Sequence, residues 1–158
     1  MTTTDTRKPA RGTTGRRRAG FTADERAAMK DHARELQKAA RRGTRATKAD
    51  GEADALAKIA EMPPHDRDLA ERLHALITGI DPDLETKTWY GMPAYAKNGN
   101  TICFFQSAHK FKSRYATLGF SDKAALDNGD LWPVYYALQE LTPATEAQIT
   151  QLIQQAVS

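Results

Sequence analysis

The stretch Pro93–Gln106, PAYAKNGNTICFFQ, decides the fold of this chain, because it has the pattern of two strands joined by a tight turn. Asn98-Gly99 is a strong signal for a two-residue type I′ turn, since both residues tolerate the positive φ angles that this turn requires. Apolar runs flank the pair, over residues 93–97 before it and 101–106 after it. The sequence therefore predicts an antiparallel β-hairpin at this point in the chain.

The preceding stretch Thr88–Tyr95, TWYGMPAY, overlaps the first of these strands and carries large side chains around two residues that interrupt regular structure. Gly91 and Pro93 suit a bulge or a sharp bend, so the sequence predicts a kinked strand that begins near Glu85. Two interpretations of the large side chains stay open. Either they fill the core, or they form the apolar wall of a pocket. The wall would consist of Trp89, Tyr90 and Met92.

Helical patterns surround this β region on both sides. The capping box Thr22-Ala-Asp-Glu25 predicts a helix that ends near residues 41–43, with a narrow apolar stripe. That stripe consists of Met29, Ala33, Leu36 and Ala40. A short helix is expected over residues 53–60, and a longer one over Asp66–Ile80. The last helix starts at Thr142-Pro143, an N-cap followed by proline in the first helical position. The Asp66–Ile80 helix and the last helix each have an apolar face. These faces are Leu69, Leu73, Leu76, Ile77 and Ile80 in the first of them, and Ile149, Leu152, Ile153 and Ala156 in the last.

Three further elements are predicted between the hairpin and the last helix. They are a strand over Lys110–Leu118, a short helix over Asp122–Leu126 and a strand over Trp132–Leu141. Helices that precede and follow a block of strands are typical of the α+β class. We therefore expect an antiparallel sheet of about five strands, with helices packed on one face. The other face would be partly polar or would itself form a site.

The charge of the chain is divided unevenly along its length. The net charge of +3 is the sum of +9 in residues 1–48 and −6 in residues 49–158. Residues 1–20 contain Arg16-Arg17-Arg18 and no aliphatic residue beyond Met1 and alanines, so a disordered basic tail is expected. Such a tail either contacts nucleic acid or is merely solvated. The predicted organisation is a tail over 1–20, a helical extension over 21–48 and an α+β domain over 49–158.

The segment Lys110–Phe120, KFKSRYATLGF, places cations at alternate positions. If it is a strand, Lys110, Lys112 and Arg114 share one face. They would then form either a solvated surface or a site for an anionic ligand, with Trp132 as a second ring beside the bend. The geometric hypothesis is a hollow between these three cations and the bend that carries Trp89.

Metal and catalytic signals are weak. Four separated histidines and a lone Cys103, which is expected to be buried, argue against a zinc site. No nucleophile elbow, phosphate-binding glycine loop or dinucleotide fingerprint is present, which favours a non-catalytic domain and leaves an enzyme of scattered residues open. Acidic residues occur near helix ends, where carboxylates also serve as caps and turn residues. Binding of a hard cation there is the alternative interpretation.

Four segments carry a family resemblance: WYGMPAY at 89–95, CFFQ at 103–106, KFKSRYATLGF at 110–120 and LDNGDLWP at 126–133. Together they resemble the YdhG-like family, domain of unknown function 1801, over about residues 50–157. The resemblance implies a small α+β domain similar to frataxin. It also implies, for some relatives, an iron chaperone role that depends on acidic surface residues. Here those residues would be Asp66, Asp68 and Glu71.

These observations predict a non-catalytic binding domain that takes a small acidic ligand or an acidic peptide. Its binding residues would be Trp89, Tyr90, Met92, Lys110, Lys112, Arg114 and Trp132. The first alternative is a frataxin-like iron carrier that delivers iron to a partner protein. The second is nucleic-acid tethering through residues 1–20. The chain has no apolar run of membrane-spanning length and no apolar segment after its basic start, so a cytoplasmic protein without a membrane partner is expected.

Overall fold

The structure is a computed structural model that describes residues 21–42 and 48–158. The predicted tail over residues 1–20 lies outside the described residues. The helices are α1 (Ala23–Arg42), α2 (Lys48–Ala60), α3 (Pro64–Ile80) and α4 (Pro143–Ala156). The strands are β1 (Glu85–Trp89), β2 (Met92–Lys97), β3 (Asn100–Gln106), β4 (Ala116–Phe120) and β5 (Tyr135–Leu138). The predicted α+β class with a five-stranded sheet is confirmed.

The sheet is an antiparallel meander in which each strand pairs with the next along the chain, in the order β1-β2-β3-β4-β5. Asn98 and Gly99 join β2 to β3 with φ angles of 52° and 81°, so the predicted two-residue hairpin turn is confirmed. Tyr95 pairs with Cys103, and the register shifts by one residue just after Tyr95. This irregularity is the only one in the β2–β3 ladder among its described pairs.

One face of the sheet and three helices enclose the main core. Tyr95, Cys103, Phe105 and Leu118 point into it and meet apolar side chains of α2, α3 and α4. The predicted apolar face of α3 is confirmed, with three members buried and two packed against the core. These are Leu69, Leu73 and Ile77, and Leu76 and Ile80. We call this side of the sheet the covered face and the other side the open face.

Cys103 and Tyr95 are titratable groups within the core. Burial raises the pKa of the Cys103 thiol to about 12, which makes it an inert core side chain, as expected. Burial also raises the pKa of the Tyr95 hydroxyl above its usual range. That hydroxyl lies 2.9 Å from Nδ1 of His74, whose Nε2 lies 3.1 Å from a carboxylate oxygen of Glu52. This chain of hydrogen bonds ties α2 and α3 to β2.

Four predicted elements differ from the structure. The kinked strand is a second hairpin, in which Tyr90 and Gly91 form a two-residue turn between β1 and β2 with φ angles of 52° and 75°. Pro93 is tolerated in β2 because it precedes the first residue pair between β2 and β3. The predicted bend is therefore a chain reversal between two antiparallel strands, and not a kink within one strand.

The predicted strand Lys110–Leu118 is wrong over its first half, since β4 begins only at Ala116. The segment before it is a folded loop, in which the amide of Ser113 donates to the carbonyl of Ala108 at 2.9 Å. The Asp66 carboxylate also accepts from the His109 amide at 3.1 Å. These bonds satisfy backbone groups that a strand would have paired with a neighbour.

The short helix predicted over Asp122–Leu126 does not form, and the residues make a turn followed by irregular backbone. Ala124 and Leu126 are both buried in the main core, and the Ala125 amide donates to the carbonyl of Ala156 in α4 at 3.0 Å. Docking onto α4 thus replaces internal helix bonds. The last strand is also shorter than predicted, because only Tyr135–Leu138 pairs with β4.

Helix α1 forms as predicted, but it packs on the rest of the protein through a side other than its predicted apolar stripe. Met29 and Leu36 of the predicted apolar stripe are 39% and 59% exposed. Ala28, by contrast, is buried. Instead of covering the main core, α1 lies at β1 and the β1–β2 turn, and its first turns border the open face.

Candidate functional site

The turn between β1 and β2 is held by a carboxylate from α1. Glu35 accepts from the amide of Tyr90 at 3.0 Å and from the amide of Gly91 at 2.7 Å. The ring of His32, on the same side of α1, stacks on the Tyr90 ring with centroids 4.0 Å apart and planes within 12°. Charge-assisted hydrogen bonds to a half-buried carboxylate are stronger than neutral ones. They stabilise the left-handed conformation of Tyr90, which is unfavourable for a residue other than glycine.

A second set of charges lies beside this turn. Nζ of Lys110 lies 2.9 Å from a carboxylate oxygen of Asp31 and donates to the Tyr90 carbonyl at 3.0 Å. Lys58 of α2 lies 3.4 Å from the other oxygen of Asp31. Gly91 is buried against this ion pair, and a Cβ atom there would collide with both Lys110 and Asp31. We call Asp31, Glu35, Lys58 and Lys110, with the turn that they hold, the α1 anchor.

The α1 anchor changes the interpretation of Lys110. The sequence predicted this lysine as a free cation for an anionic ligand, yet its charge is already balanced by Asp31. The three predicted cations also do not share a strand face, because Lys112 sits in the loop with a φ of 51° and Arg114 precedes β4. The hypothesis of a hollow formed by all three cations is therefore wrong. Lys110 and Lys112 line one concave surface together with Asp24, but Arg114 does not line it.

An apolar groove lies between α1 and the open face. Its volume is about 330 Å³, and it is open to solvent along its length. Its lining residues come from the start of α1, the β1–β2 turn, the open face and the loop before β4. They are Phe21, Glu25, Ala28, Met29, Tyr90, Met92, Phe104, Gln106 and Phe111. Two predicted wall residues, Tyr90 and Met92, are thus part of a groove wall.

The other predicted site residues are distributed differently. Trp89 does not line the groove, but its ring packs on Phe104 of the groove wall with centroids 5.2 Å apart. Trp132 packs against the main core, whereas Trp89 packs in a separate apolar cluster. The exposed Arg114 guanidinium lies 5.2 Å from the Tyr115 ring. Lys112 is 79% exposed, with Nζ 3.9 Å from a carboxylate oxygen of Asp24 in α1.

The predicted iron ligands serve other contacts. Asp66 is buried and accepts from the loop amide of His109, while Asp68 lies 3.8 Å from Arg72 one helical turn later. Glu71 is exposed on the same helix. Within residues 21–42 and 48–158, no group of three or more His, Cys, Asp or Glu side chains is arranged to hold a metal ion. Iron binding through these residues stays a prediction, and anaerobic calorimetry with Fe(II) would test it.

Asp31, His32 and Glu35 were not predicted as functional residues. A signal was available, because Ala28, Asp31, His32 and Glu35 recur at helical spacing and therefore share one side of α1. Apolar stripes usually mark the docked side of a helix, and the apolar stripe of α1 lies on another side. Here the docking surface is a turn with free amides and a lysine, for which carboxylates are the matching partners.

Acid should weaken the α1 anchor selectively. Burial raises the pKa of Asp31, but the hydrogen bond and charge of Lys110, with a smaller effect of Lys58, lower it further, so the pKa lies below its usual range. A carboxyl with a depressed pKa contributes stability above its unfolded-state pKa of about 4 and loses it as pH falls through the folded-state pKa. We expect amide hydrogen exchange of α1 to accelerate below about pH 4 before exchange of β3 does.

An Asp31→Asn variant is the control for this pH dependence. It removes the titrating group, so the extra acceleration of α1 exchange on acidification should shrink. The pKa of Asp81 is also lowered, chiefly by its hydrogen bond to Lys97, but this residue lies at the end of α3. An unchanged acid response of α1 in Asp31→Asn would contradict the assignment to Asp31.

Comparisons of the chain with protein-family models, with curated proteins and with solved structures found no match. The YdhG-like resemblance therefore stays a prediction that rests on the four segments quoted above. Within the described part of the chain, no helix is both long enough and apolar enough to cross a membrane.

Proposed function

We propose that the chain is a non-catalytic binding domain whose apolar groove takes a ligand with an apolar body and an acidic group. The supporting observation is the groove itself, where six large apolar or aromatic side chains line one surface that is open to solvent. Exposed apolar surface of this kind costs free energy in water, and a ligand that covers it recovers that free energy. A small acidic molecule and an acidic peptide with one aromatic anchor share this chemistry.

The acidic group is assigned to the rim near Lys112. This lysine reaches the first turn of α1, next to Glu25 on the groove wall, and its exposed contact with Asp24 is long. An exposed ion pair of this geometry contributes little, so a ligand carboxylate can replace it at small cost. The adjacent Phe111 lines the groove, which brings the positive charge and the apolar surface together. The buried thiol of Cys103 fits the reducing conditions of a cytoplasmic protein.

A matched pair of dyes tests both parts of the proposal. Anilinonaphthalene sulfonate carries an acidic group, and N-phenyl-naphthylamine has the same apolar body without it. Met29→Glu places a charge on the groove wall and should weaken binding of both dyes by about tenfold or more. Leu56→Glu is the control, because Leu56 is a similarly exposed apolar residue of α2 and does not line the groove. Equal losses in the two variants would contradict the groove as the site.

Lys112→Glu separates the acidic contact from the apolar one. It should weaken the sulfonate dye by about threefold to tenfold at low salt and leave the neutral dye unchanged. Lys123→Glu, an exposed lysine away from the groove, controls for net charge.

An acidic peptide with a single phenylalanine should displace the dye if the natural ligand is a peptide. The Trp89 ring packs on Phe104 of the groove wall, so the fluorescence of Trp89 should respond to binding. The fluorescence of Trp132 should not respond.

A further inference from the structure

The last part of the chain, residues 131–158, presents a surface that is almost free of charge. Of the fifteen residues in this range that are exposed, only Glu140 has a charged side chain, whereas charged residues make up 27% of the whole chain. Two large apolar side chains lie in the same range, since Leu131 is 91% exposed and Tyr135 is 66% exposed. Exposed apolar and aromatic groups with few charges are typical of the centre of a protein–protein interface.

The strand β5 forms one edge of the sheet within this range, and part of its backbone has no partner strand. The amide of Phe120 at the end of β4 donates to the carbonyl of Val134 at 2.8 Å, which fixes the alternation of hydrogen bonds along β5. The N–H and C=O groups of Tyr135 and Ala137 therefore point away from β4. Among the described residues, no hydrogen bond uses these outward groups.

The two edges of the sheet are treated differently. Gly51 of α2 lies so close to the carbonyl of Thr86 in β1 that a Cβ atom there would collide with it, so α2 covers that edge. Exposed edges usually carry lysines or other charges that hinder pairing with a second chain. Residues 131–139 contain no charged side chain. Pro133 lacks an N–H and limits the length of any pairing, but it leaves Tyr135 and Ala137 free to pair.

Helix α4 continues the uncharged surface beside β5. Gln148 and Leu152 line a hollow of about 130 Å³ between the helix and the strand, together with Ala137. The exposed Gln151 and Gln155 follow Gln148 at helical spacing and therefore lie on the same side of α4. A chain that pairs with β5 would thus meet amide and apolar side chains on the covered face as well.

We propose that β5 pairs antiparallel with β5 of a second copy of this chain, which joins the two sheets into one across a twofold axis at Tyr136. Tyr135 then lies opposite Ala137 of the second copy, and each such pair exchanges both of its N–H···O bonds. The large ring faces a small side chain, as close packing across the axis requires. A twofold interface uses the same surface on both copies, so its register brings no like charges together at β5.

The charge of the chain favours a second copy as the occupant of this edge. Residues 49–158 carry a net charge of −6, so two copies repel each other wherever their charged surfaces meet. The surface formed by β5 and α4 avoids this repulsion, whereas a partner of opposite charge would be attracted elsewhere. No residue of 131–158 lines the apolar groove, so this inference does not depend on the acidic ligand.

Sedimentation equilibrium of the full chain tests this inference. At about 100 μM the mass should approach twice the 17.5 kDa of one chain. Tyr135→Lys places like charges on both sides of the axis, and Ala137→Pro removes an outward N–H that β4 does not use. Each variant should weaken dimerisation by about tenfold or more. Leu56→Lys adds the same charge at an exposed apolar residue of α2 and should leave the dimer unchanged.

Amide hydrogen exchange shows whether the edge itself is the interface. The amides of Tyr135 and Ala137 should exchange slowly in the dimer and quickly after dilution, while those of Tyr136 and Leu138 stay protected by β4 in both states. A monomer at about 100 μM overturns the proposal, because the edge would then be open to a different protein. A dimer that survives both edge variants overturns it as well. Thermal unfolding checks each fold, and Tyr135→Lys decides if Ala137→Pro unfolds.

Discussion

Gly91→Ala is expected to release α1 from the sheet and to destabilise the protein by about 3 kcal/mol. Two costs combine at this position. The φ of 75° costs a residue with a Cβ about 1–2 kcal/mol. The new methyl group also occupies the space of the Lys110 ammonium and the Asp31 carboxylate, so both side-chain ends must shift away from the turn. Urea unfolding measures the change in free energy, and amide hydrogen exchange of α1 shows where it acts.

Gly99→Ala is the matched control for this prediction. Gly99 has a φ of 81° in the β2–β3 turn, and a Cβ there would have no atom within 4 Å. It therefore carries the conformational cost without the crowding, and a loss of only about 1–2 kcal/mol is expected. If the two variants lose equal stability, the crowding against the α1 anchor is not important. Dye binding should fall in Gly91→Ala alone, because α1 supplies Met29 to the groove and the segment just before α1 supplies Phe21.

Glu35→Ala is expected to cost about 3 kcal/mol of unfolding free energy and to detach α1 in the same way. The carboxylate accepts two amide hydrogen bonds from the β1–β2 turn, and each bond to a charged group contributes about 1.5–3 kcal/mol. Partial exposure lowers the total, because water can reach the freed amides in part. The left-handed turn also loses the contacts that offset its strain. Amide exchange of Tyr90 and Gly91 reports this loss directly.

Two further variants calibrate the Glu35 result. Glu35→Gln keeps one acceptor oxygen and removes the charge, so about half of the loss is expected. Glu61→Ala removes an acid that is 71% exposed and lies 3.7 Å from Lys58, and it should change stability by less than about 0.5 kcal/mol. A loss in Glu35→Ala no larger than that in Glu61→Ala would show that the turn holds its shape without α1. The groove would then not depend on the α1 anchor.

The sequence predicted the elements whose patterns are local. Asn98-Gly99 specifies its hairpin because the required φ angles are a property of these two residues alone. Thr142 caps α4 as expected, accepting from the Thr145 amide at 3.2 Å. The apolar periodicity of α3 fixed which side it buries, since burial of Leu69, Leu73 and Ile77 outweighs any alternative orientation. Each of these elements can therefore be predicted from its own local sequence.

The failures share a different cause. In Lys110–Arg114 the alternation of cations resembled that of a strand. Hydrogen bonds to α3 and within the loop satisfy backbone groups of this region in place of strand pairing. In Asp122–Leu126, docking against α4 replaced helix formation. The Tyr90-Gly91 turn was obscured because tyrosine rarely adopts a positive φ. Its conformation is stabilised by Glu35, which lies 55 residues earlier in the chain.

The amino-acid sequence by itself determined the α+β class, the hairpin at Asn98-Gly99 and the apolar sides of α3 and α4, because short-range periodicity and turn chemistry suffice for each. Only the tertiary structure decided that α1 docks through charges instead of its apolar stripe. It also decided that Lys110 is neutralised, and that Phe21, Met29 and Phe104 meet in one groove. Such contacts join residues far apart in the chain, and their free energy depends on which partners the fold brings within hydrogen-bonding distance.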